Sequence, residues 1–490
     1  MKIINFRFFP ILCLYLVSGI GIGYFFWYNS TALFVAGALA LLAIAAVILF
    51  RKRLISSVTY IIMFCAFIVG LFMTAGYVHT AAYGIKDERI VADIRVNYVS
   101  QEENAIKVSF TSEEISGNAK LYYSEEINFE IGDKLNALIN IETVSVIEEN
   151  YTLNNSYFLL DEKYEGRILD IYEYKVGALT FTEHIRSSLD EGLSVLQDDR
   201  GVAYALLTGD KYAIADEQYD EYKNSGLAHI LAVSGLHVSI IAAAVIFLLK
   251  KFKVNRYLTL AVVSVTLFLY AMLCDFSPSV VRAFIMTTVF LLADCTGRET
   301  DLLSSTCFAA VILLLISPFN IFNIGFLLSF GAVIAIAVLH PILKNLFKWV
   351  PSFLRDLVSI SFAVNIFTFP IMAEVFGSVS IVFLLANVLV LPIMSVGYTL
   401  LVAGGVIFLV TKLSFVLYPG GLFVSYLNII AHEVANLPFA IITVPAMGIL
   451  ALEFYFLIFL FSNFVMVKLR NKFITAGISA AVFLPIMLLV

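Results

Sequence analysis

The sequence predicts a polytopic α-helical membrane protein that carries a small extracytoplasmic β domain after its third span. Three observations lead to this fold class: an extreme apolar composition, a series of long apolar runs, and one acidic block. Hydrophobic residues make up 61% of the 490 residues and charged residues 14%, against about 45–50% and about 25% in soluble domains. A chain with a mean hydropathy of +0.93 could not cover its surface with polar groups in water.

The composition also excludes several other classes of protein. The 27 glycines and 11 prolines are too few for a collagen-like or a low-complexity disordered chain. The five cysteines lie in or beside apolar segments, and none falls in the acidic block. The sequence therefore offers neither a disulfide framework nor a CxxC metal site, and we expect no metal and no cofactor.

Charge is strongly segregated along the chain. Residues 84–200 contain 24 Asp and Glu against 11 Lys and Arg, whereas the rest of the chain is mildly basic. Apolar and polar residues alternate in the first half of this block, as in Ile90–Tyr98, which is typical of strands with one buried face. Turn residues at 116–118 and 132–133 separate four or five such strands, so we predict a small barrel or sandwich. Over residues 180–207 the apolar spacing becomes helical.

Three apolar runs precede the acidic block, at residues 8–28, 31–50 and about 58–78, and a later run predicts a further membrane segment at residues 473–490. The first, Phe8–Tyr28, lacks a clear cleavage site, so we interpret it as a retained anchor rather than a removed signal peptide. The basic run Arg51–Arg53 lies between the second and third spans, and basic residues of short loops stay in the cytoplasm. The N-terminus is then cytoplasmic, residues 84–225 are extracytoplasmic, and the protein is a multi-pass protein of the cell (inner or cytoplasmic) membrane.

When the later spans alternate in direction, every basic loop, such as Lys250–Arg256, falls on the cytoplasmic side, as the same rule requires. The interpretation stays open at Val379–Val410, because Pro392 interrupts this apolar stretch. Two short spans, one broken helix and a re-entrant pair are all compatible with it. In all we expect about 10 to 13 membrane segments. The spans predicted between residues 226 and 376 are 228–249, 257–274, 279–293, 302–316, 325–340 and 358–376.

One short run is far more specific than the apolar pattern around it. Residues Gly226–Val238 read GLAHILAVSGLHV, and they follow the element LLTGD at Leu206–Asp210. The run Gly226–Val238, which we call the hallmark motif, and the LLTGD element together resemble segments of the ComEC family of competence proteins. Three weaker segments continue the resemblance in the same order: SPSVVRA at Ser277–Ala283, GFLLSF at Gly325–Phe330, and the segment from asparagine to proline at Asn387–Pro392.

The resemblance implies an inner-membrane channel that takes up single-stranded DNA during natural transformation. It implies N-terminal membrane helices at 1–83, an OB-like β domain at 84–178, a helical connector at 179–225 and a competence-type channel domain at 226–490. Many family members also carry a metallo-β-lactamase-type domain, but this sequence has no H-x-H-x-D-H run. We therefore expect no enzymatic activity, and we expect strand degradation by another protein.

The expected partners follow from the same resemblance. They are single-stranded DNA, membrane lipid, a separate nuclease, a DNA receptor and a cytoplasmic ATPase or helicase. A partner must supply the energy because the sequence has no GxxxxGK[ST] loop. Whether the chain forms a homo-oligomer is left open. The acidic β domain has few bases to neutralise phosphates, so we interpret it as a docking module.

The candidate pore residues are polar side chains and one glycine within apolar helices. If residues 228–249 form one helix, His229 and His237 differ by about 80° around its axis and face one passage. Arginine within a membrane helix is costly, and its guanidinium suits phosphate, so Arg282 is a candidate phosphate contact. The complete set is His229, Ser234, Gly235, His237, Arg282, Ser329 and Asn387.

Structural alternatives remain for these residues. The polar side chains could instead join helices, with Ser234 and Gly235 as a close-packing notch, and Arg282 could pair with Asp275. Ser234 and His237 could form a nucleophile pair, although the sequence reveals no orienting acid. The corresponding alternatives for function are a secondary transporter of a small solute and an intramembrane hydrolase.

Overall fold

The computed structural model divides the chain into two compact units. One contains Met1–Ile11, Ser188–Ala310 and Ile324–Val490, and the other contains Leu12–Ser187 and Val311–Asn323. The residues that the structure describes are 8–28, 62, 65–71, 73, 88–100, 105–112, 116–123, 132–143, 164–175, 180–211, 214–299, 301–445, 450–462, 472 and 475–476.

The predicted first span is a helix, α1 (Phe8–Tyr28). The predicted second span, at residues 31–50, lies outside the described residues, as do most residues of the predicted spans at 58–78 and 473–490. The predictions for these three segments therefore stay predictions.

The alternating residues of the acidic block close into a barrel. Its five strands are β1 (Glu88–Ser100), β2 (Ala105–Thr111), β3 (Ser116–Tyr122), β4 (Lys134–Thr143) and β5 (Tyr164–Lys175). They follow the order β1-β2-β3-β5-β4 around the barrel, and only β3 and β5 pair in parallel. Alternate side chains such as Ala92, Ile94 and Val96 are buried, because successive side chains of a strand face opposite sides. The predicted small OB-like barrel is confirmed.

An ion pair joins the barrel to the helix that follows it, α2 (Phe181–Leu193). Oε2 of Glu183 accepts a hydrogen bond from Nη2 of Arg95 on β1 and another from the backbone N–H of Thr180, both at 2.6 Å. Burial raises the pKa of Glu183, but the hydrogen bonds from Thr180 and the charge of Arg95 outweigh it and hold this pKa below its ordinary value. The ionised carboxylate thus fixes α2 against β1.

The rest of the described chain is mainly helical. The helices are α3 (Arg200–Thr208), α4 (Asp216–Asn224), α5 (Ala228–Leu231), α6 (Gly235–Lys251), α7 (Arg256–Leu273), α8 (Pro278–Thr296), α9 (Leu302–Ile316), α10 (Ile324–Val338), α11 (His340–Leu346), α12 (Ser352–Phe376), α13 (Phe383–Thr411), α14 (Tyr418–Ala435) and α15 (Leu450–Phe461). Within the described residues, five segments are long and apolar enough to cross a membrane, namely α7, α8, α12, α13 and Ser414–Ala435. The pair α10 and α11, bent by 51°, adds a sixth if it forms one span. The polytopic helical fold is confirmed, and the total of about 10 to 13 segments remains a prediction.

Most of the apolar stretch that the sequence left open, from Phe383 onward, is one continuous helix. α13 passes through Pro392 without a break, although proline cannot donate a backbone hydrogen bond and disturbs the preceding turn. In that turn the carbonyl of Leu389 accepts the hydroxyl of Tyr426 on α14 at 2.9 Å. The proline leaves the carbonyl of Val388 without its helical donor, and the bond from Tyr426 reaches the next carbonyl in the same turn.

The segment that precedes the hallmark motif packs against the long helices. Every residue from Val202 to Thr208 on α3 is buried. Asp199 accepts a hydrogen bond from Nδ2 of Asn428 on α14 at 2.6 Å and another from the hydroxyl of Ser425. Tyr222 on α4 donates to Oδ1 of the same Asn428 at 2.7 Å. Residues 188–225 thus belong to the same compact unit as α13 and α14.

A short ladder joins the segments that follow α12 and α14. β6 (Ser378–Ser380) pairs antiparallel with β7 (Ile441–Thr443). Two backbone hydrogen bonds of 3.0 Å extend it, from Ile381 to the carbonyl of Ala440 and from Val444 to the carbonyl of Gly377. The ladder closes a loop of chain that contains α13 and α14.

Candidate functional site

The hallmark motif lies at a break between α5 and α6. Ser234 has an extended backbone (φ −115°, ψ 173°) and forms the N-cap of α6. Its Oγ accepts the N–H of Leu236 at 3.2 Å, which is the role that serine prefers at a helix start. The prediction of one helix over 228–249, with His229 and His237 about 80° apart on it, is therefore wrong.

His237 is held in one tautomer by the residue that caps α6. The backbone N–H of Ser234 donates to Nδ1 of His237 at 3.0 Å, and the hydroxyl of Ser234 lies 3.0 Å from the same nitrogen. Because Nδ1 accepts, the ring proton of a neutral imidazole lies on Nε2. His237 is only 1% exposed, and among the described residues Nε2 has no hydrogen-bond partner.

An aromatic pair covers His237. The ring of Tyr398 on α13 meets the imidazole edge to face, with ring centroids 4.5 Å apart. The hydroxyl of Tyr398 lies 2.8 Å from the hydroxyl of Tyr270 on α7. The capped start of α6 is therefore packed against both α13 and, through the tyrosine pair, α7.

Arg282 joins three helices without an ion-pair partner among the described residues. It lies on α8 and is 6% exposed. Its Nη1 donates to the backbone carbonyl of Ser329 on α10, and the guanidinium lies 5.6 Å from the ring centroid of Phe330. On the side of α6, a Cβ placed on Gly235 would lie 2.7 Å from Nη2, so the absence of a side chain there leaves room for the guanidinium. We call Gly235, Arg282 and Ser329 the arginine junction.

The positive charge at the arginine junction is not neutralised within the described part of the chain. No Asp or Glu among the described residues forms an ion pair with Arg282, and its Nε has no hydrogen-bond partner there. The alternative pairing with Asp275 is therefore not the arrangement found.

The structure brings five of the seven candidate pore residues together around the start of α6. These are Ser234, Gly235, His237, Arg282 and Ser329. His229 is exposed, and its Nδ1 lies 3.1 Å from the carbonyl of Gly226. Asn387 on α13 is 5% exposed, and its Oδ1 has no partner among the described residues. No described contact joins His229 or Asn387 to the arginine junction.

Two residues that hold the site are not among the sequence candidates. Ser279, in the first turn of α8, donates its hydroxyl to the carbonyl of Val233 at 2.6 Å and ties α8 to the helix break. Ser279 lies in the SPSVVRA segment, so its neighbourhood in sequence offered a signal. Tyr398, which covers His237, carries no such signal, because its role depends on packing between distant helices.

The comparison with known sequences decides the family. A sequence model described as "Competence protein" matches residues 206–470, which is more than half of the chain. The chain belongs to the competence protein family. The match begins within the LLTGD element and includes the helix break, Arg282 and Ser329, so the resemblance drawn from the motifs is confirmed.

Proteins from three bacteria are similar to parts of the chain. ComE operon protein 3 of Bacillus subtilis is 29% identical over 266 residues, which cover 54% of this chain and 33% of that protein. Competence protein ComA of Neisseria gonorrhoeae is 29% identical over 159 residues, covering 31% and 22%. Recombination protein 2 of Haemophilus influenzae is 25% identical over 221 residues, covering 42% and 27%. The alignments thus span a third or less of these relatives, and no solved structure matches the chain.

The chemistry available at this site of the competence domain is that of hydrogen-bond donation in the protein interior. Nε of Arg282 and Nε2 of His237 are buried donors without partners among the described residues, and such donors bind anions. The 3.0 Å approach of the Ser234 hydroxyl to His237 resembles a nucleophile and its base. The same oxygen, however, accepts the N–H that caps α6, and no described acid orients Nε2. The arrangement favours contact with an anion over acyl transfer.

Proposed function

We propose that this protein passes single-stranded DNA inward across the cytoplasmic membrane during natural transformation. The observation that carries the proposal is the family match over residues 206–470, which includes the motif that builds the helix break. The names of two relatives, one of which refers to competence and one to recombination, support the same process. The proposal places the N-terminus in the cytoplasm and residues 84–225 outside it, in line with the distribution of basic loops.

The path for the strand is proposed to run past the helix break, along the seven candidate residues. Three of them, His237, Arg282 and Asn387, are buried, and each has one polar atom without a partner among the described residues. Buried polar atoms of this kind are costly in a packed interior. We interpret the described arrangement as the closed form of the path. In the open form these atoms would form hydrogen bonds with the strand.

Several partners belong to this proposal. A separate nuclease would degrade the strand that is not transported, a DNA receptor would deliver the other, and a cytoplasmic ATPase or helicase would supply the energy. Membrane lipid surrounds the helices. The acidic barrel is proposed to dock one of these proteins, because its excess of carboxylates disfavours direct contact with DNA.

A vesicle assay tests the proposed transport. The full chain is reconstituted into liposomes that contain a dye specific for single strands, and an oligonucleotide is added outside. We expect the dye signal to rise above that of protein-free liposomes, and to fall at least about tenfold for Arg282→Ala or His237→Ala, each of which removes a buried donor. Arg298→Ala is the matched control, because it removes the same charge from an exposed position. A wild-type signal no higher than that of empty liposomes contradicts the proposal.

One observation favours a second candidate function, hydrolysis within the membrane. The hydroxyl of Ser234 lies 3.0 Å from Nδ1 of His237, within the reach of a serine and its base. A fluorophosphonate probe, which labels activated serines, distinguishes the two functions. We expect no labelling of Ser234, because its oxygen serves as the cap of α6. Labelling that disappears in His237→Ala supports the hydrolase instead.

A further inference from the structure

Arg282 is a buried cation whose hydrogen-bonding capacity is only partly used. Its guanidinium has five N–H groups and carries a full positive charge. Among the described residues, Nη1 bonds the Ser329 carbonyl, Nε has no partner, and no carboxylate neutralises the charge. An ionisable group in this condition inside a membrane domain indicates a functional site whose partner is an anion.

The surroundings of the guanidinium are arranged to receive such an anion. Nη2 faces Gly235 at the start of α6, and the N-terminus of a 17-residue helix carries a partial positive charge. The N–H groups of Leu236 and His237 are occupied by Ser234, so the guanidinium rather than the helix amides supplies the contacts. Gly235 and Ser329 are each only half-buried, so this side of the junction lies near the surface.

The carbonyl of Ser329 accepts a hydrogen bond from Arg282 that a stronger acceptor could take over. A backbone carbonyl offers one neutral oxygen, whereas a phosphodiester offers two non-bridging oxygens that share one negative charge and match the guanidinium fork. A phosphodiester would therefore replace the carbonyl, and the carbonyl would return when the phosphate leaves. Such an exchange suits a polyanion that must be held and then released one phosphate at a time.

We propose that the arginine junction binds one phosphodiester group of the transported strand, with Arg282 as its ligand and the Ser329 carbonyl as the competing partner. The proposal rests on the proposed function for the identity of the strand. Gly235 serves the site by leaving space for the guanidinium, so an added methyl group at this position displaces the guanidinium without removing its charge.

The test measures equilibrium binding rather than transport. The full chain in detergent micelles is titrated with a fluorescent single-stranded oligonucleotide, and with a strand of the same sequence whose phosphodiesters are replaced by uncharged methylphosphonates. We expect the Arg282→Gln variant to bind the phosphodiester strand more weakly, and the slope of log K against log salt to decrease in magnitude by about 0.7, the value for one lost phosphate contact. The methylphosphonate strand should bind both proteins alike.

Three further variants make the result specific. Arg282→Lys keeps the charge but not the fork, so we expect the salt slope to be retained and the affinity to fall about tenfold. Gly235→Ala should weaken binding as Arg282→Gln does. Arg298→Gln, at an exposed position, should leave the affinity and the slope unchanged. Each variant is first checked for a wild-type elution volume and melting temperature, and Arg282→Lys and Gly235→Ala carry the test if Arg282→Gln does not fold.

The outcomes separate this proposal from the transport proposal. Wild-type affinity and salt slope in Arg282→Gln overturn the phosphate site, whatever the vesicle assay gives. If Arg282→Gln loses binding but the wild type gives no signal in the vesicle assay, the phosphate site is supported and the transport proposal is overturned. The other source of a phosphodiester is a lipid headgroup. If short-chain phosphatidylglycerol raises the melting temperature in an Arg282-dependent way and the oligonucleotide does not bind there, the strand proposal is overturned.

Discussion

Ser234 and His237 fix each other through a single ring nitrogen. Nδ1 of His237 lies 3.0 Å from the backbone nitrogen of Ser234 and 3.0 Å from its hydroxyl oxygen, while that oxygen caps α6. The pair is a capping box in which histidine takes the place usually held by glutamate or glutamine. The start of the helix and the tautomer of the ring are therefore set together.

Because the two side chains form one unit, their substitutions should not be additive. We expect Ser234→Ala to lower the free energy of unfolding by about 1 kcal/mol through loss of the cap. The double variant with His237→Ala should lose at least about 0.5 kcal/mol less than the sum of the single variants. Thermal unfolding in detergent micelles measures both. Ser239→Ala is the control, since within the described part of the chain this exposed serine bonds a carbonyl of its own helix and no other group. Strict additivity would contradict the capping box.

Gly226 should tolerate no side chain, because both its backbone conformation and the close approach of a neighbouring residue exclude a Cβ atom. Its φ is +82°, and a Cβ would lie 2.8 Å from Cβ of Phe383 and 3.0 Å from its Cα. Gly377 has a similar φ of +61°, but among the described residues, its two chain neighbours aside, no heavy atom lies within 4 Å of the position that its Cβ would take. Gly377→Ala therefore measures mainly backbone strain. We expect Gly226→Ala to be more destabilising than Gly377→Ala by about 1–3 kcal/mol, as measured by thermal unfolding. Equal losses would mean that packing at α13 is not the constraint.

Asp199 should be a major anchor of the segment before the hallmark motif. Asp199→Asn weakens the charge-assisted bonds to Ser425 and Asn428 and should cost about 1.5–3 kcal/mol. The adjacent Asp198 is exposed, so Asp198→Asn should leave the melting temperature within about 1 °C of the wild type. An equal effect of the two substitutions would show that the bonds to α14 contribute nothing.

The contact between the barrel and α2 should depend on pH. The pKa of Glu183 is lowered in the folded state, so its contribution is present above its ordinary pKa and is lost as the pH falls through the lowered value. Glu183→Gln should therefore weaken the contact by about 1 kcal/mol at pH 7 and have a smaller effect at about pH 3, below the ordinary pKa of the carboxyl group.

Hydrogen–deuterium exchange of peptides from β1 and α2, corrected for the intrinsic effect of pH, measures this change. Glu173→Gln is the control, because its ion pair with Lys175 is largely exposed. Faster exchange at pH 7 confined to Glu183→Gln is the expected result. An effect that is the same at both pH values would contradict the role of the ionised carboxylate.

The sequence predicts the barrel and the long apolar helices well because their patterns are local. Ile94 and Val96 alternate with polar residues, and alternation by itself distinguishes a strand from a helix. The helix break is different. Residues 232–234 continue an apolar run, and the one local sign of a new helix is a serine followed three residues later by His237, which is not the usual capping partner.

The partners of the candidate residues could not be predicted, because they depend on packing between distant segments. Arg282 is recognisable as unusual from its apolar context, but its contact with a backbone carbonyl of Ser329 leaves no trace in the residue types. The same holds for Gly235, which leaves space for the side chain of Arg282 from another helix. Sequence patterns thus pointed to five of the residues around the start of α6, whereas only the three-dimensional arrangement revealed Ser279 and Tyr398 and how the residues are combined.

The ladder of β6 and β7, which we call the clasp, joins the chain before α13 to the chain after α14. A chain cut between α13 and α14, at Lys412–Leu413, would give two fragments that still share this clasp and a long helix interface. We expect the two fragments to reassemble when they are co-expressed, which would make this turn a suitable place to split the protein for complementation or to insert a reporter.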